Sequence, residues 1–176
     1  MKVKHFSIFN VNPSKEINWN NLRDEELELP YYLPDTREKY LLKVDVENAS
    51  KTVLAMIDRF QKLGYFKLLS LGSGNAQTEY QIKKYSKLEV IVSDNTNSIE
   101  RLKTYNIFND VLSIDILKDD FPLEEKTIVL LHRIDTEFDD NELKLIFNKL
   151  KNTGVKHICF VPTNPFALNI LLNEFK

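Results

Sequence analysis

The sequence contains few of the residues that support disulfide-bonded or metal-binding proteins. It has a single cysteine, Cys159, so no disulfide can form within the chain, and this favours a reducing compartment such as the cytoplasm. The three histidines are scattered and have no partners at metal-ligand spacing, so the sequence predicts no metal site. Because Cys159 lies inside an apolar run, we expect a buried and inert thiol.

An excess of charge of one sign and long hydrophobic runs are also lacking. Lys and Arg number 24 and Asp and Glu number 26, which gives a formal net charge of −2. Proteins that bind nucleic acid through its phosphates usually carry a basic excess, so this balance argues against such a partner. No window approaches the roughly 20 apolar residues of a membrane span. The segment Met1–Phe6 lacks the apolar stretch of a signal peptide. We therefore expect neither nucleic acid nor a membrane among the partners.

The sequence does have enough apolar residues for one globular domain. Of its 176 residues, 43% are hydrophobic, which suits a single core of ordinary size. Asn, Pro and acidic residues are frequent in the first 34 residues. We expect an N-terminal extension over residues 1–44, helical or irregular, followed by one folded domain over residues 45–176.

From residue 45 onward the chain alternates between helical and strand patterns. A helix is predicted from about Asp45, its N-cap, to Leu63, with Gly64 just past its end. Asp139 and Glu142 have the spacing of a capping box for a later helix. Five strands are predicted, over residues 67–71, 88–92, 111–114, 127–131 and 155–161. One further helix is predicted between the glycine turn at 72–74 and residue 85, and three more over residues 97–105, 138–151 and 167–175. Apolar strands separated by helices predict an α/β fold with a doubly wound, mainly parallel sheet and helices on both faces.

A glycine turn follows the first strand, where parallel sheets commonly bind ligands. Gly72-Ser73-Gly74 lies at the carboxyl end of that strand, and glycine allows a tight turn and a close approach of the backbone to a ligand. The next helix directs N–H groups and the positive end of its dipole to the same place. A tight turn without a ligand explains these glycines equally well.

Two aspartates end the next two strands. Asp94 follows the second strand at the distance from Gly74 where a carboxylate can accept hydrogen bonds from the ribose hydroxyls of an adenosine. Asp115 ends the third strand in the same way. Each aspartate by itself is equally well explained as a cap of a strand end or helix. Together with the glycine turn, the two indicate a nucleotide-type cofactor.

Five segments share their order and spacing with one family. They are residues 69–76 with the glycine turn, 91–94 and 113–116 with their aspartates, 129–134 at the fourth strand, and 154–158 at the entry to the fifth. In this order they resemble the motifs of the Rossmann-fold S-adenosylmethionine-dependent methyltransferases. The resemblance runs from about Tyr40 to Pro165. It implies a Rossmann-like fold, S-adenosylmethionine as cofactor, and a small molecule as methyl acceptor.

The resemblance also implies roles for individual residues. Asp94 would bind the ribose, Asp115 would contact the adenine, and the turn from Gly72 to Gly74 would lie against the methionine part. His132 would face the methyl group as a general base, or would only bond the backbone at the strand end. The cofactor-binding residues implied in this way are Leu71, Gly72, Ser73, Gly74, Asn75, Asp94, Asn95, Asp115, Ile116, Leu131 and His132.

The sequence departs from the family pattern, and the departures keep other functions open. Ser70 stands where the first motif usually has an acidic residue, and Ala76 where it has a third glycine. The family's final antiparallel hairpin has no counterpart, so we expect a truncated chain or a fifth-strand edge covered by a protein partner, a second copy or the N-terminal segment. A non-catalytic module that binds a cofactor or a partner is one alternative. An NAD-linked oxidoreductase is another, disfavoured because Gln77 occupies the third-glycine position of a dinucleotide motif.

Three tyrosines precede the first long predicted helix. N-terminal segments of the resembling family often cover the cofactor, so Tyr31, Tyr32 and Tyr40 are candidates for an aromatic lid. Such a lid would attract a sulfonium through cation–π interaction. The alternative is that these rings pack against the edge of the sheet.

Overall fold

The computed structural model describes residues 19–24 and 31–162, and the helices and strands below lie within them. The helices are α1 Trp19–Asp24, α2 Arg37–Val44, α3 Lys51–Lys62, α4 Gln77–Tyr85, α5 Ser98–Tyr105 and α6 Asp140–Asn152, and a 3-10 turn covers Ile134–Thr136. The strands are β1 Lys67–Leu71, β2 Glu89–Asp94, β3 Asp110–Ser113, β4 Thr127–His132 and β5 Ile158–Val161. The predicted last helix, residues 167–175, lies outside the described residues.

The strands form one parallel sheet in the order β3-β2-β1-β4-β5. The chain runs outward from β1 to β3, returns to β4 on the other side of β1, and continues to β5. Leu69 in the centre of β1 is opposite Ile91 of β2 and Val129 of β4. This order confirms the predicted doubly wound, Rossmann-like α/β fold. The reversal at β1 is a topological switch point, where connections leave neighbouring strands on opposite sides and open a crevice.

Alternate residues of the strands pack the two faces of the sheet. Leu68 and Leu130 lie on one face, with core residues of α2 to α5, and we call it the α4 face. Leu69 and Leu131 lie on the other, with core residues of α6 and of the β3–β4 connection, and we call it the α6 face. All four leucines are fully buried. Cover on both faces explains why the strands are apolar at nearly every position.

The predicted start of the first long helix is wrong. Asp45 is the C-cap of α2, and α3 begins at Lys51 with Ser50 as its N-cap. The Ser50 hydroxyl accepts the N–H of Val53 at 3.2 Å. Ser50 and Asp45 are both good capping residues, so residue type alone does not choose between them. Val46 also fits the apolar spacing of the helix, although it is exposed and lies in the connection between α2 and α3. The apolar spacing therefore gave no sign that the chain breaks between α2 and α3.

Other ends of elements agree more closely with prediction. The capping box of α6 is confirmed: Asp139 and Glu142 accept each other's backbone N–H groups, both at 2.9 Å. Gly64 has the left-handed backbone expected past a helix end, with φ of 74°. The fifth strand starts at Ile158 and not at Val155, because pairing with β4 begins there, while Val155 packs against the α6-face core.

Part of the predicted N-terminal extension is built into the core. Leu33, Tyr40 and Val44 are fully buried in the α4-face cluster. The division of the chain at residue 44 stays a prediction. In the ranges that the structure describes, no helix combines the length and the apolar character that crossing a membrane requires.

Candidate ligand-binding site

A cleft of about 340 Å³ opens at the carboxyl ends of the central strands. Its position is the switch point, where doubly wound sheets bind their ligands. The residues that line it are Arg23, Gly72, Asp94, Asn95, Thr96, Ile114, Asp115, Ile116, Leu117, Arg133, Ile134, Glu137, Phe138 and Glu142. The apolar part of the lining comes from the segments after β3 and β4, and charged residues line the cleft after all three strands β2, β3 and β4.

The cleft brings together part of the predicted cofactor-binding set. The predicted residues in its lining are Gly72, Asp94, Asn95, Asp115 and Ile116. The predicted residues outside its lining are Leu71, Ser73, Gly74, Asn75, Leu131 and His132. Leu71 and Leu131 are fully buried members of the α6-face core, so they support the cleft from beneath.

Gly72 is required by the shape of the cleft. Its φ is 69°, in the left-handed region that favours glycine. A Cβ at this position would lie 3.2 Å from Cγ2 of Ile134 and 3.4 Å from Cδ1 of Ile116. Any side chain here would therefore press into the apolar wall.

The glycine turn is held by hydrogen bonds within the protein. The N–H of Ser73 donates to the carbonyl of Ser93 at 2.8 Å, and the N–H of Ala76 donates to the carbonyl of Ser73 at 2.8 Å. The N–H of Gly74 donates to Oδ2 of Asp94 at 2.8 Å. The first and third of these bonds fix the turn onto the end of β2, and the second closes the turn on itself.

Asp94 is bound by protein groups on both carboxylate oxygens. Oδ2 accepts from Gly74, and Oδ1 accepts from the N–H of Thr96 at 3.0 Å and from its hydroxyl at 2.7 Å. Nη2 of Arg23 lies 3.6 Å from Oδ2. Asp94 is 5% exposed and Arg23 is 9% exposed, and a buried carboxylate requires such compensation to remain charged.

Arg23 reaches this site from α1, far away in the sequence. Its guanidinium also donates to the Thr96 hydroxyl, and it lies against Gly74, where a Cβ would be 3.2 Å from Nη2. The carbonyl of Arg23 accepts the N–H of Leu33 at 2.9 Å. Sequence reasoning missed Arg23, because no local pattern marks an arginine in a polar segment as a partner of a strand end.

A second buried carboxyl lies beside the glycine turn. The Ser70 hydroxyl donates to Oε1 of Glu79 at 2.6 Å, and the two residues are 0% and 2% exposed. Burial raises the pKa of Glu79 to about 7; the bond from Ser70 opposes this rise and nearby Asp94 adds to it. Position 70 therefore carries no acidic side chain of its own but has a carboxyl from α4 next to it. An available signal was the inward face of α4, since Glu79 precedes the buried Ile82 by one helical turn.

Asp115 makes only local contacts among those recorded for its side chain. Oδ1 accepts the N–H of Leu117 at 3.0 Å, and Oδ2 accepts from Nζ of Lys118 at 2.7 Å. The Lys118 hydrogen bond holds the pKa of Asp115 below its ordinary value, and the Leu117 N–H adds to this effect. These contacts match the cap of a strand end, with the side chain at the rim of the cleft.

His132 ends β4 and is half-buried. Strand alternation places it on the α4 face with Leu130, opposite Leu131. Burial lowers its pKa and the charge of Arg133 lowers it further, so the ring is held neutral around pH 7. Its role as a general base stays a prediction.

The tyrosines of the N-terminal segment do not line the cleft. Tyr40 is buried between Tyr105, stacked with ring centroids 4.8 Å apart, and Tyr80, edge-on at 6.2 Å. Its hydroxyl donates to the carbonyls of Asn75 and Ala76, at 3.0 and 3.3 Å. Tyr40 thus follows the packing alternative and supports the glycine turn from within the core.

The structure offers no support for a reactive thiol or a metal site within the residues it describes. Cys159 is half-buried on β5, and burial raises the pKa of its thiol, which disfavours the reactive thiolate. Across residues 19–24 and 31–162, no three His, Cys, Asp or Glu side chains are grouped so that they could hold a metal ion.

Comparisons with known proteins give little beyond this geometry. No protein-family model matches the chain, and no curated protein matches it. Among solved structures, coclaurine N-methyltransferase bound to N-methylheliamine and SAH is similar, at 21% identity with a TM-score of 0.39. The match covers 60% of this chain and 33% of that enzyme, so the chain spans about a third of its length. Fold and site therefore rest on the sheet and the cleft described above.

Proposed function

We propose that this chain binds S-adenosylmethionine and transfers its methyl group to a small-molecule acceptor in the cytoplasm. One observation carries the proposal. Gly72 after β1, Asp94 at the end of β2 and Asp115 after β3 line a single cleft. Their order along the chain is that of the resembling family, and the sheet has the switch point at which such cofactors bind.

The cleft suits the adenosine part of the cofactor. One part of its lining is an apolar wall on which a planar base can pack, formed by Ile114, Ile116, Ile134 and Phe138. Asp94 lines the same cleft, where a carboxylate would hold the ribose hydroxyls. Because Gly72 has no side chain, Ile116 and Ile134 of this wall can lie against its backbone.

The hydrogen bonds of the turn favour this cofactor over a dinucleotide. A pyrophosphate would be bound by N–H groups of a glycine turn and of the following helix. Here the N–H groups of Ser73, Gly74 and Ala76 already donate to protein oxygens. The N–H of Gln77, the first residue of α4, bonds the Asn75 side chain at 3.3 Å.

Bound S-adenosylmethionine supplies an electrophilic methyl group on a sulfonium. The chain's part is then to orient the acceptor and exclude water, which accounts for most of the catalysis in an in-line transfer. An acceptor that must lose a proton also needs a base. His132 can serve, because its lowered pKa keeps it neutral and able to accept a proton.

A non-catalytic binding module is the second candidate, and two specific observations favour it. Asp94 already receives hydrogen bonds from Gly74 and Thr96 and is approached by Arg23. His132 lies outside the cleft lining. Turnover separates the two candidates: S-adenosylhomocysteine formed with a panel of hydroxyl and amine acceptors supports the enzyme, whereas binding with no turnover on any acceptor supports the module.

Calorimetric titration with S-adenosylhomocysteine, with NAD in parallel, tests the cofactor. We expect binding of the first and none of the second. Asp94→Ala should weaken binding by about 1.5–3 kcal/mol, the range for a charge-assisted hydrogen bond. The matched control is Asp58→Ala, since Asp58 is exposed on α3 away from the cleft. Equal affinity of wild type and Asp94→Ala would remove the ribose assignment, and NAD binding in place of S-adenosylhomocysteine would overturn the proposal.

A further inference from the structure

We infer that Arg23 competes with the cofactor for Asp94, so that α1 acts as a latch on the site. The inference rests on the proposed function, because it assumes that ribose hydroxyls approach Asp94. Arg23 would have to leave this carboxylate when an adenosine-containing ligand binds.

Protein groups already occupy most of the hydrogen-bond acceptor positions of Asp94. A carboxylate offers about four lone-pair positions, two on each oxygen. Thr96 uses both positions of Oδ1, through its N–H and its hydroxyl. Gly74 uses one position of Oδ2, and Arg23 faces the other. A ribose hydroxyl therefore finds its acceptor where the guanidinium now lies.

The distance between Arg23 and Asp94 shows which contact of this carboxylate a ligand can displace. Nη2 of Arg23 lies 3.6 Å from Asp94, an ion-pair distance beyond that of a hydrogen bond. The groups bonded to Asp94 from Gly74 and Thr96 are closer and belong to the turn and to the loop after β2. Among these partners of Asp94, Arg23 is the one at the longest distance.

Contacts around α1 keep the guanidinium in place without involving the cleft. Asp24 pairs with Arg101 of α5. The side chain of Asn20 accepts the N–H of Asn97 at 2.9 Å. These contacts hold α1 over the loop between β2 and α5, next to Thr96. The latch is thus a short helix fixed to the loop that follows Asp94.

The test measures affinity for ligands with and without the ribose diol. S-adenosylhomocysteine, adenosine and 2′,3′-dideoxyadenosine are titrated calorimetrically into wild type, Arg23→Met and Arg59→Met. Methionine keeps the length of the arginine stem and removes its charge. Arg59 is exposed on α3 and away from the cleft, so it provides the same substitution as a control.

We expect Arg23→Met to bind S-adenosylhomocysteine and adenosine about tenfold more tightly than wild type, the size of one modest charge-assisted contact. Affinity for 2′,3′-dideoxyadenosine should stay unchanged, and Arg59→Met should match wild type throughout. An equal gain for the dideoxy compound would assign the effect to space in the cleft and overturn the competition. Equal or weaker binding of S-adenosylhomocysteine to Arg23→Met would also overturn it.

Arg23→Lys provides a second variant that keeps the buried charge, in case Arg23→Met does not fold. Lysine cannot bond Thr96 and approach Asp94 with two separate groups, so we expect severalfold tighter binding, and no gain contradicts the latch. Binding of no adenosyl ligand to any variant would overturn the proposed function and the latch with it. Normal binding of S-adenosylhomocysteine with no gain on substitution of Arg23 would overturn the latch alone.

Discussion

An aspartate lies at the carboxyl end of β2 and another just after β3, but their surroundings differ. Asp94 is 5% exposed, and its partners include Gly74 after β1 and Arg23 of α1. The Asp115 side chain is 25% exposed and pairs with Lys118, whose side chain is 80% exposed. One aspartate is joined to distant parts of the chain, and the other closes its own turn.

Position in the sheet accounts for this difference. β2 lies inside the sheet between β1 and β3, so the turn after β1 lies beside its carboxyl end. In the sheet formed by the described residues, β3 is at one end of the strand order, next to β2. A buried carboxylate needs fixed partners, whereas a carboxylate near solvent gains little from a flexible lysine. Substitutions at the end of β2 should therefore affect stability more than substitutions after β3.

The largest expected effect is the loss of stability when the charge of Asp94 is removed, compared with the same change at Asp115. Asp94→Asn removes the carboxylate charge that the buried Arg23 faces, and removal of one partner of a buried ion pair costs about 3 kcal/mol or more of unfolding free energy. Asp115→Asn should cost under about 1 kcal/mol, because its partner is exposed. Urea unfolding of the two variants and wild type measures both losses. Losses of equal size would mean that the two strand ends are energetically alike.

The second prediction uses opposite pKa shifts at the two strand ends. The pKa of Glu79, near Asp94, rises from 4.5 to about 7 in the folded chain. Its contribution to stability is full below pH 4.5 and is lost as pH rises through 7, a loss of about 3 kcal/mol. The pKa of Asp115 is lowered from 3.8, so its contribution is present above that pH and is lost as pH falls further.

Urea unfolding of wild type and Glu79→Gln between pH 3 and pH 8 checks these signs. The substitution should flatten the fall in stability between pH 4.5 and 7 and leave the loss at the acid end. An unchanged slope between pH 4.5 and 7 would show that Glu79 does not titrate there. Asp115→Asn, the matched variant, should alter the acid end alone.

A smaller effect is expected at Ser70. Ser70→Ala removes the hydroxyl that bonds Glu79 and should destabilise the fold by about 1–2 kcal/mol, the cost of a buried hydrogen bond. Because that bond lowers the pKa of Glu79, its loss should also move the midpoint of the pH–stability profile upward. The profile separates this role from simple packing. A stability loss with no movement of the midpoint would contradict the link to Glu79.

The smallest effect concerns the turn that Asp94 holds. Ala76 has φ of 55°, where glycine is favoured, yet its methyl group is fully buried in the α4-face core. Ala76→Gly relieves the backbone but loses that contact and some chain entropy, so we expect a change within about 0.5 kcal/mol. Ala55→Gly, inside α3, should destabilise by about 1 kcal/mol. Thermal unfolding compares the two variants. An equal loss of stability in both would show that relief of the backbone does not offset the lost methyl contact at Ala76.

Much of the fold was predictable because it depends on local patterns. Apolar strands alternating with amphipathic helices gave a parallel sheet, and the Asp139–Glu142 box marked the start of α6 correctly. The break between α2 and α3 was missed, since Ser50 and Asp45 have equal capping chemistry and the apolar spacing continues through the connection. The start of β5 was missed because pairing with β4, and not apolar character, decides it.

Less of the candidate site was predictable. The strand ends that meet at the cleft, Gly72, Asp94 and Asp115, follow from parallel topology, which any sequence of this pattern imposes. Arg23 and Glu79 were missed, because their importance comes from partners 71 and 9 residues away. The sequence also did not predict that His132 lies outside the cleft lining. Which residues at the end of a strand face a ligand depends on the path of the connection that follows the strand.

The sequence by itself determined the α/β class, the parallel sheet with its switch point, and the strand ends at which a ligand can be held. These follow from hydrophobic periodicity and glycine and aspartate positions, which act over a few residues. Only the tertiary structure decided that Asp94 is buried against Arg23, that Glu79 lies beside Ser70, and that Asp115 stays at the rim. Charge burial and pairing depend on which distant segments pack together, and no local pattern of residues encodes them.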